Sequence, residues 1–287
     1  MAGLKEVRER ITSVGSTMQI TSAMKMVSAA KLKKAQDAIT QMRPYSEKLT
    51  EILQNLSASL DGSEGQYGVE RDVKKVLIVA VASNRGLCGG FNAYVNKKVN
   101  QLVTETYAGK DVQVLAIGKK VSDFWGKKGN LLSQHNELFD DLTFENVSEV
   151  AQTVMDAFVA GNFDHVELVY NQFKNAATFN TISEQFLPVV ADSEGKSSSS
   201  VDYIFEPGKE EILEDLIPLS LKTQIFKATL DSHASEHGAR MTAMHKATDN
   251  ATELLKELKL TYNKARQASI TNEILEIVGG AAALEDG

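Results

Sequence analysis

Three clusters in this 287-residue chain have residue types and spacings that could do chemistry. The first, His233-Ala234-Ser235-Glu236-His237, matches H-x-x-E-H, a zinc-peptidase pattern that sets two imidazoles one helical turn apart beside a carboxylate. Catalytic zinc also needs a third protein ligand and an open water position, and neither accompanies this match, so helix surface is the default reading. The second, Ser83-Asn84-Arg85-Gly86-Leu87-Cys88-Gly89-Gly90, is a Gly-rich loop of the kind that cradles phosphate on backbone N–H groups. It lacks both the G-x-G-x-x-G spacing and the Lys-Ser/Thr ending of a P-loop. Cys88 could be a nucleophile with His135 or His165 as base, but no spacing ties them together, and a tight turn is the default. The third, Asp140-Asp141, could suggest a hard cation but has no further ligands arranged with it. The sequence thus predicts no catalytic residue, no cofactor and no metal.

The elements around these clusters are more informative. From Leu4 to Leu56 apolar residues recur three and four apart: Leu4, Val7, Ile11, Val14, Met18, then Leu32, Ala35, Ile39, Met42 and, after a gap, Leu49 and Leu56. That 3.5-residue period is a coiled-coil seam. About 55 helical residues would reach on the order of 80 Å. Pro44 is expected to bend or locally break this helix near Met42 and Arg43. In its middle the seam positions become Thr21, Lys25 and Ser28, while Ile20, Met24, Met26 and Val27 carry apolar surface on a neighbouring face. Either this stretch meets a further apolar surface or the seam shifts locally with ordinary packing.

From about Val73 to Phe205 the pattern changes. Val76–Val81, Val112–Ile117 and Val166–Tyr170 read as strands, Phe91–Glu105 and Val147–Val159 as helices, Thr178–Phe186 as an antiparallel strand, and Asp192–Ser200 as a flexible loop. This βαβ grammar predicts a Rossmann-like sheet covered on both faces. A second long helix follows from Lys209 to about Leu284, with Pro218 near its start and a seam of Leu230, Ala234, His237, Met241, Met244, Thr248, Ala251, Leu255, Leu258, Tyr262 and Ala265. Beyond Ala265 the seam weakens to Ser269 and Asn272, so the last turns should outrun the first helix with their own apolar set, Ile270, Ile274 and Ile277. The expected fold is α/β: a long antiparallel coiled coil of N- and C-terminal helices (1–72 and 206–287) with an inserted α/β domain (73–205).

Composition narrows the class further. Hydrophobic residues make up 43% and charged residues 24%, which excludes disordered and disulfide-stapled classes, and the single Cys88 excludes an internal disulfide. No stretch is apolar enough for a transmembrane helix, and the N-terminus carries neither a signal core nor a transit pattern, so a cytoplasmic chain is expected. The net charge is −7, yet residues 1–60 hold nine cations against five anions. A basic helix with few interleaved aromatics points to an acidic protein surface rather than nucleic acid, or else to a simply solvated face.

Met18-Gln19-Ile20-Thr21-Ser22-Ala23-Met24-Lys25-Met26-Val27-Ser28-Ala29-Ala30-Lys31-Leu32 resembles the N-terminal helix of F-type ATP synthase gamma subunits. The run from Ala234 to Asn250, and then Tyr262 to Ile274, resembles their C-terminal helix, and Arg85 to Gly90 is similar to a loop of their central domain. The resemblance implies a central-stalk rotor subunit, itself non-catalytic, that couples ion-driven rotation of a membrane ring to ATP synthesis. Its implied partners are three alpha and three beta subunits around one copy, the epsilon subunit and the membrane c-ring, with no nucleic acid. It implies a peripheral location at the cytoplasmic face of a bacterial inner membrane, held through the c-ring. By motif it implies hexamer contacts at Met24, Lys25, Arg240, Arg266, Gln267 and Thr271. Asn84 departs from the Asp usual there, which leaves a charge role for that loop in doubt, and His233 is not typical. An α/β enzyme with a dimeric coiled coil is the alternative.

Overall fold

The structure is a computed structural model that describes residues 3–57, 66–189 and 209–285; the expected loop at 192–200 lies outside these. Its elements run α1 (Leu4–Ser57), β1 (Lys75–Val81), α2 (Phe91–Gln101) continuing into a π-turn (Leu102–Thr106), β2 (Asp111–Ile117), α3 (Lys119–Lys128), β3 (Leu131–Gln134), α4 (Phe144–Val159), β4 (His165–Asn175), β5 (Thr178–Leu187) and α5 (Lys209–Glu285). The chain divides into two compact units, residues 28–240 and residues 1–27 with 241–287.

In the larger unit the five strands lie in the order β3-β2-β1-β4-β5. β1 pairs in parallel with β2 and β4, and β2 with β3, while β5 closes the edge antiparallel to β4. β1 is buried from Val76 to Val81 because it is the central strand with both faces covered, which is why its sequence is a continuous apolar run rather than an alternating one. One face, with Leu77, Val79, Leu115 and Leu168, packs on α4 and on Leu221, Ile225 and Ala228 of α5. The other, with Ile78, Ala80, Val114 and Val169, packs on Val95 and Val99 of α2 and Val121 and Trp125 of α3. The α3–β3 segment escapes a periodicity search because both elements are short, 10 and 4 residues. Its glycines still mark it. Gly118 has φ +107° and a side chain there would stand 2.2 Å from the Ala82 carbonyl; Gly129 caps α3 in the left-handed region.

The helices follow their seams. In α1, Val7, Leu32, Ala35, Ile39 and Leu49 are buried, and so are the polar seam positions Thr21 and Ser28. The helix runs unbroken through Pro44, contrary to the expected break. Ile39, Ser46 and Leu49 are buried on either side of the proline, so packing holds the helix across the one missing backbone donor.

In the smaller unit the pairing is antiparallel. Thr21 Oγ1 bonds Thr248 Oγ1 at 2.9 Å, and Thr252 Oγ1 donates to Met18 Sδ at 3.4 Å, so residue numbers rise on one helix as they fall on the other. Met244 and Ala251 are buried there, and Leu255, Leu258, Tyr262, Ala265 and Ser269 half-buried. Extending that register sets Leu4 beside Ala265, and every described side chain from Thr271 to Ala281 is exposed. The expected overhang of α5 is present.

Candidate functional site

The overhang presents an apolar stripe along one side: Ile270, Ile274, Leu275 and Val278 are exposed and Ile277 is 72% exposed, while Asn272, Glu273 and Glu276 occupy the opposite side. Arg266, Gln267 and Thr271, the expected upper contacts, stand at its base, also exposed. Thr271 Oγ1 bonds back to the Gln267 carbonyl at 3.0 Å, as helical threonines do, and Arg266 forms no ion pair among the described residues. A contiguous apolar stripe on a helix is normally covered, and among the described residues nothing of this chain covers this one.

A second exposed apolar set lies on α1, with Ile20 60%, Met26 66% and Val27 58% exposed. Met24 and Lys25 are half-buried beside it. The reason is visible in the seam. Thr21 and Ser28 are buried, Thr21 paired with Thr248, which leaves the larger apolar residues of this stretch on the outside. The seam does not shift here.

Arg240 has a different placement from the other expected contacts. It is 7% exposed, and its guanidinium is committed within the larger unit. Nη1 pairs with Glu236 Oε1 at 2.6 Å, Nη2 donates to the Arg85 carbonyl at 3.1 Å and to Gly86 at 3.3 Å, and Nε donates to Gly86 at 3.4 Å. This one side chain fastens the Gly-rich loop to α5. The same stretch of α5 packs closely elsewhere: a side chain at Gly238 would stand 2.7 Å from the Ala176 carbonyl at the β4–β5 turn, and Ser235 Oγ donates to the Asn171 carbonyl at 3.0 Å. Nothing in the sequence sets Arg240 apart from the other expected contacts, because besides Glu236 its partners are backbone carbonyls more than 150 residues away.

The loop itself is a packed turn. Ser83 Oγ donates to the Arg85 carbonyl at 2.6 Å, and Asn92 Nδ2 donates to Cys88 Sγ at 3.2 Å. Cys88 is buried, and burial pushes its thiol up, away from the thiolate a nucleophile needs. Asn84 donates through Nδ2 to the Asn136 carbonyl at 2.7 Å and accepts from the Lys119 N–H at 3.0 Å. An Asp at this position could make only the second bond, so the amide of Asn84 serves packing between this loop and its neighbours. Leu87, at φ +62°, is thrust outward at 63% exposure.

The H-x-x-E-H match is likewise occupied internally. Arg240 Nη1 lies 3.4 Å from His237 Nδ1, and His237 Nε2 lies 3.1 Å from His233 Nε2. Arginine can only donate, so His237 Nδ1 accepts, its Nε2–H donates to His233 Nε2, and both Nε2 atoms are engaged with each other. Burial, reinforced by neighbouring Arg240 and Lys31, holds both imidazoles well below their ordinary range and therefore neutral. His233 also stacks on Phe139, and Glu236 is held by Arg240. Among the described residues no three His, Cys, Asp or Glu side chains converge as metal ligands. A groove of about 480 Å3 opens on one sheet face over Leu77, Leu115 and Phe163, but its lining includes no His or Cys to form a nucleophile–base pair.

The larger unit is thus a five-stranded α/β domain, and the smaller an antiparallel helix pair whose longer member ends in an exposed apolar stripe. The ATP synthase family profile matches residues 3–284. ATP synthase gamma chains of Flavobacterium johnsoniae and Flavobacterium psychrophilum are 66% and 65% identical, each over 99% of this chain and 99% and 100% of the relative. A chain in the OSCP/F1/c-ring structure of Euglena gracilis mitochondrial ATP synthase superposes with a TM-score of 0.71 at 21% identity, covering 99% of this chain and 95% of that one. A chain in the rotor of the same enzyme gives 0.68 at 22% identity, covering 93% and 98%. This chain belongs to the ATP synthase gamma-chain family.

Proposed function

We propose that this gamma chain works as the central rotor shaft of an F-type ATP synthase, without catalytic residues of its own, passing rotation of a membrane ring to the sites of an alpha/beta hexamer. The overhang of α5 is the observation that carries this reading: an exposed apolar stripe at a helix end has few directional bonds to break as it turns against an apolar sleeve. Arg266, Gln267 and Thr271 at its base, and Met24 and Lys25 beside the exposed strip of α1, are the residues the hexamer grips. Arg240 serves the same contact indirectly by holding the Arg85–Gly86 loop in place. The α/β domain that holds β1 to β5 is the foot that meets the epsilon subunit and the c-ring. No described helix is long and apolar enough to cross a membrane, so attachment at the cytoplasmic face of the inner membrane runs through that ring. The test is native mass spectrometry of the complex purified from its source membranes. One copy beside three alpha and three beta subunits is expected; a homodimer without those partners would overturn the reading.

A further inference from the structure

Asp231 lies where α1, α5 and the β4–β5 hairpin meet, and no contact described so far uses it. Its side chain is 2% exposed, yet Oδ1 has no hydrogen-bond partner. The nearest cation, Nη2 of Arg43 on α1, stands 3.9 Å away and is itself half exposed. The other groups around the carboxyl are the Phe173 backbone N–H, which donates to it, Lys227 one turn back on α5, and Glu184 on β5. Glu184 in turn accepts from the Tyr170 hydroxyl of β4 at 2.9 Å. A carboxylate this enclosed is compensated by one backbone donor and one long ion pair, with a second acid facing it, which is less than a buried charge ordinarily requires. Binding a proton removes both the burial cost and the repulsion from Glu184.

We propose that Asp231 is a proton-binding residue whose ionisation sets the brace between α1 and α5: ionised it holds Arg43, protonated it lets Arg43 go. Burial raises the carboxyl to about 6, with Arg43, Lys227 and the Phe173 N–H acting against the rise and Glu184 adding to it. The folded value lies above the unfolded one, so this residue's contribution to stability is fully present below the unfolded value and falls as pH rises through about 4 to 6. Arg43 recovers only part of that loss, because its own charge stays largely in water.

The experiment is a carboxyl 13C NMR titration of the full chain, with the Asp231 resonance identified by its absence in D231N. A midpoint near 6 is expected, moving upward in R43A because a cation is removed. Exchange protection of the Arg43 guanidinium N–H groups, corrected for intrinsic rates, should fall on acidification through the same midpoint in the wild type and show no such step in D231N. A midpoint in the ordinary carboxylate range, a midpoint unmoved by R43A, or an exchange step that persists in D231N would overturn the proposal. Should D231N not fold, the Asp231 resonance is assigned sequentially, and the wild-type and R43A midpoints decide the matter alone.

Discussion

The two units of this chain bury their residues in opposite ways. In residues 28–240 the core is closed: Ile78, Val79, Leu168 and Phe158 have no exposure, and each strand of the central pair β1 and β4 packs on helices on both faces. In the unit formed by residues 1–27 and 241–287 the seam is narrow, built on Thr21, Thr248 and Ala251 as much as on Val7 and Met244, and large apolar groups such as Ile20, Leu260 and Ile277 face outward. The difference teaches where each unit finds its stability. The first supplies its own apolar burial; the second keeps a thin seam and leaves its larger apolar surface for a partner.

Truncation separates the two most sharply. Ile78→Ala should cost on the order of 4 kcal/mol by thermal or denaturant unfolding of the full chain, whereas Ile277→Ala should change stability by less than about 0.5 kcal/mol. Equal costs at the two positions would erase the distinction. Arg240→Ala comes next, at about 3 kcal/mol, because it strands the buried Glu236 and frees the Arg85 and Gly86 carbonyls. Arg240→Lys should recover only part of this, since one ammonium cannot reproduce the fork. The same buried stretch predicts an acid response. His233 and His237 are neutral in the fold with values below those of the unfolded chain, so stability is lost as pH falls below about 6.5. A His233→Ala, His237→Gln double variant should flatten that limb of the stability profile, and an unchanged slope would show the pair to be already charged. Thr248→Val, which removes one member of the seam pair at Thr21, should cost about 1 kcal/mol. The smallest stability effect belongs to Met24→Lys, at a half-exposed helix position, yet it should impair coupling once the complex is reassembled. ATP-driven pumping at the wild-type level in that complex would remove Met24 from the contact.

Much of this contrast is legible in the sequence because it depends on period. The three-and-four spacing from Met244 to Ala265, the weakening at Ser269 and Asn272, and the continuous apolar run of β1 each state a burial pattern that the structure reproduces, whereas from Leu230 to Arg240 off-seam residues such as Asp231, Ser235 and Glu236 are buried too. Short elements such as α3 and β3 carry too few residues to state a period, and Pro44 misleads because a local propensity is outweighed by packing on both sides of it. The contact set divides the same way. Arg266, Gln267 and Thr271 are exposed on a helix whose partner has ended, which the lengths of the two seams foretell; the internal commitment of Arg240 they do not.

The sequence by itself determined the long helices, the weakening of the α5 seam beyond Ala265 and the α/β insert, since each follows from a repeat that one chain segment carries alone; the register of the antiparallel pair came from the Thr21–Thr248 and Met18–Thr252 contacts. Only the tertiary structure decided that Arg240 fastens the Gly-rich loop, that His233 and His237 bond each other, and that Asp231 sits almost unpaired between three elements. Those outcomes depend on directional contacts between groups far apart in the chain, and a hydrogen bond or buried charge is defined by where its partner arrives in space, which no local pattern encodes.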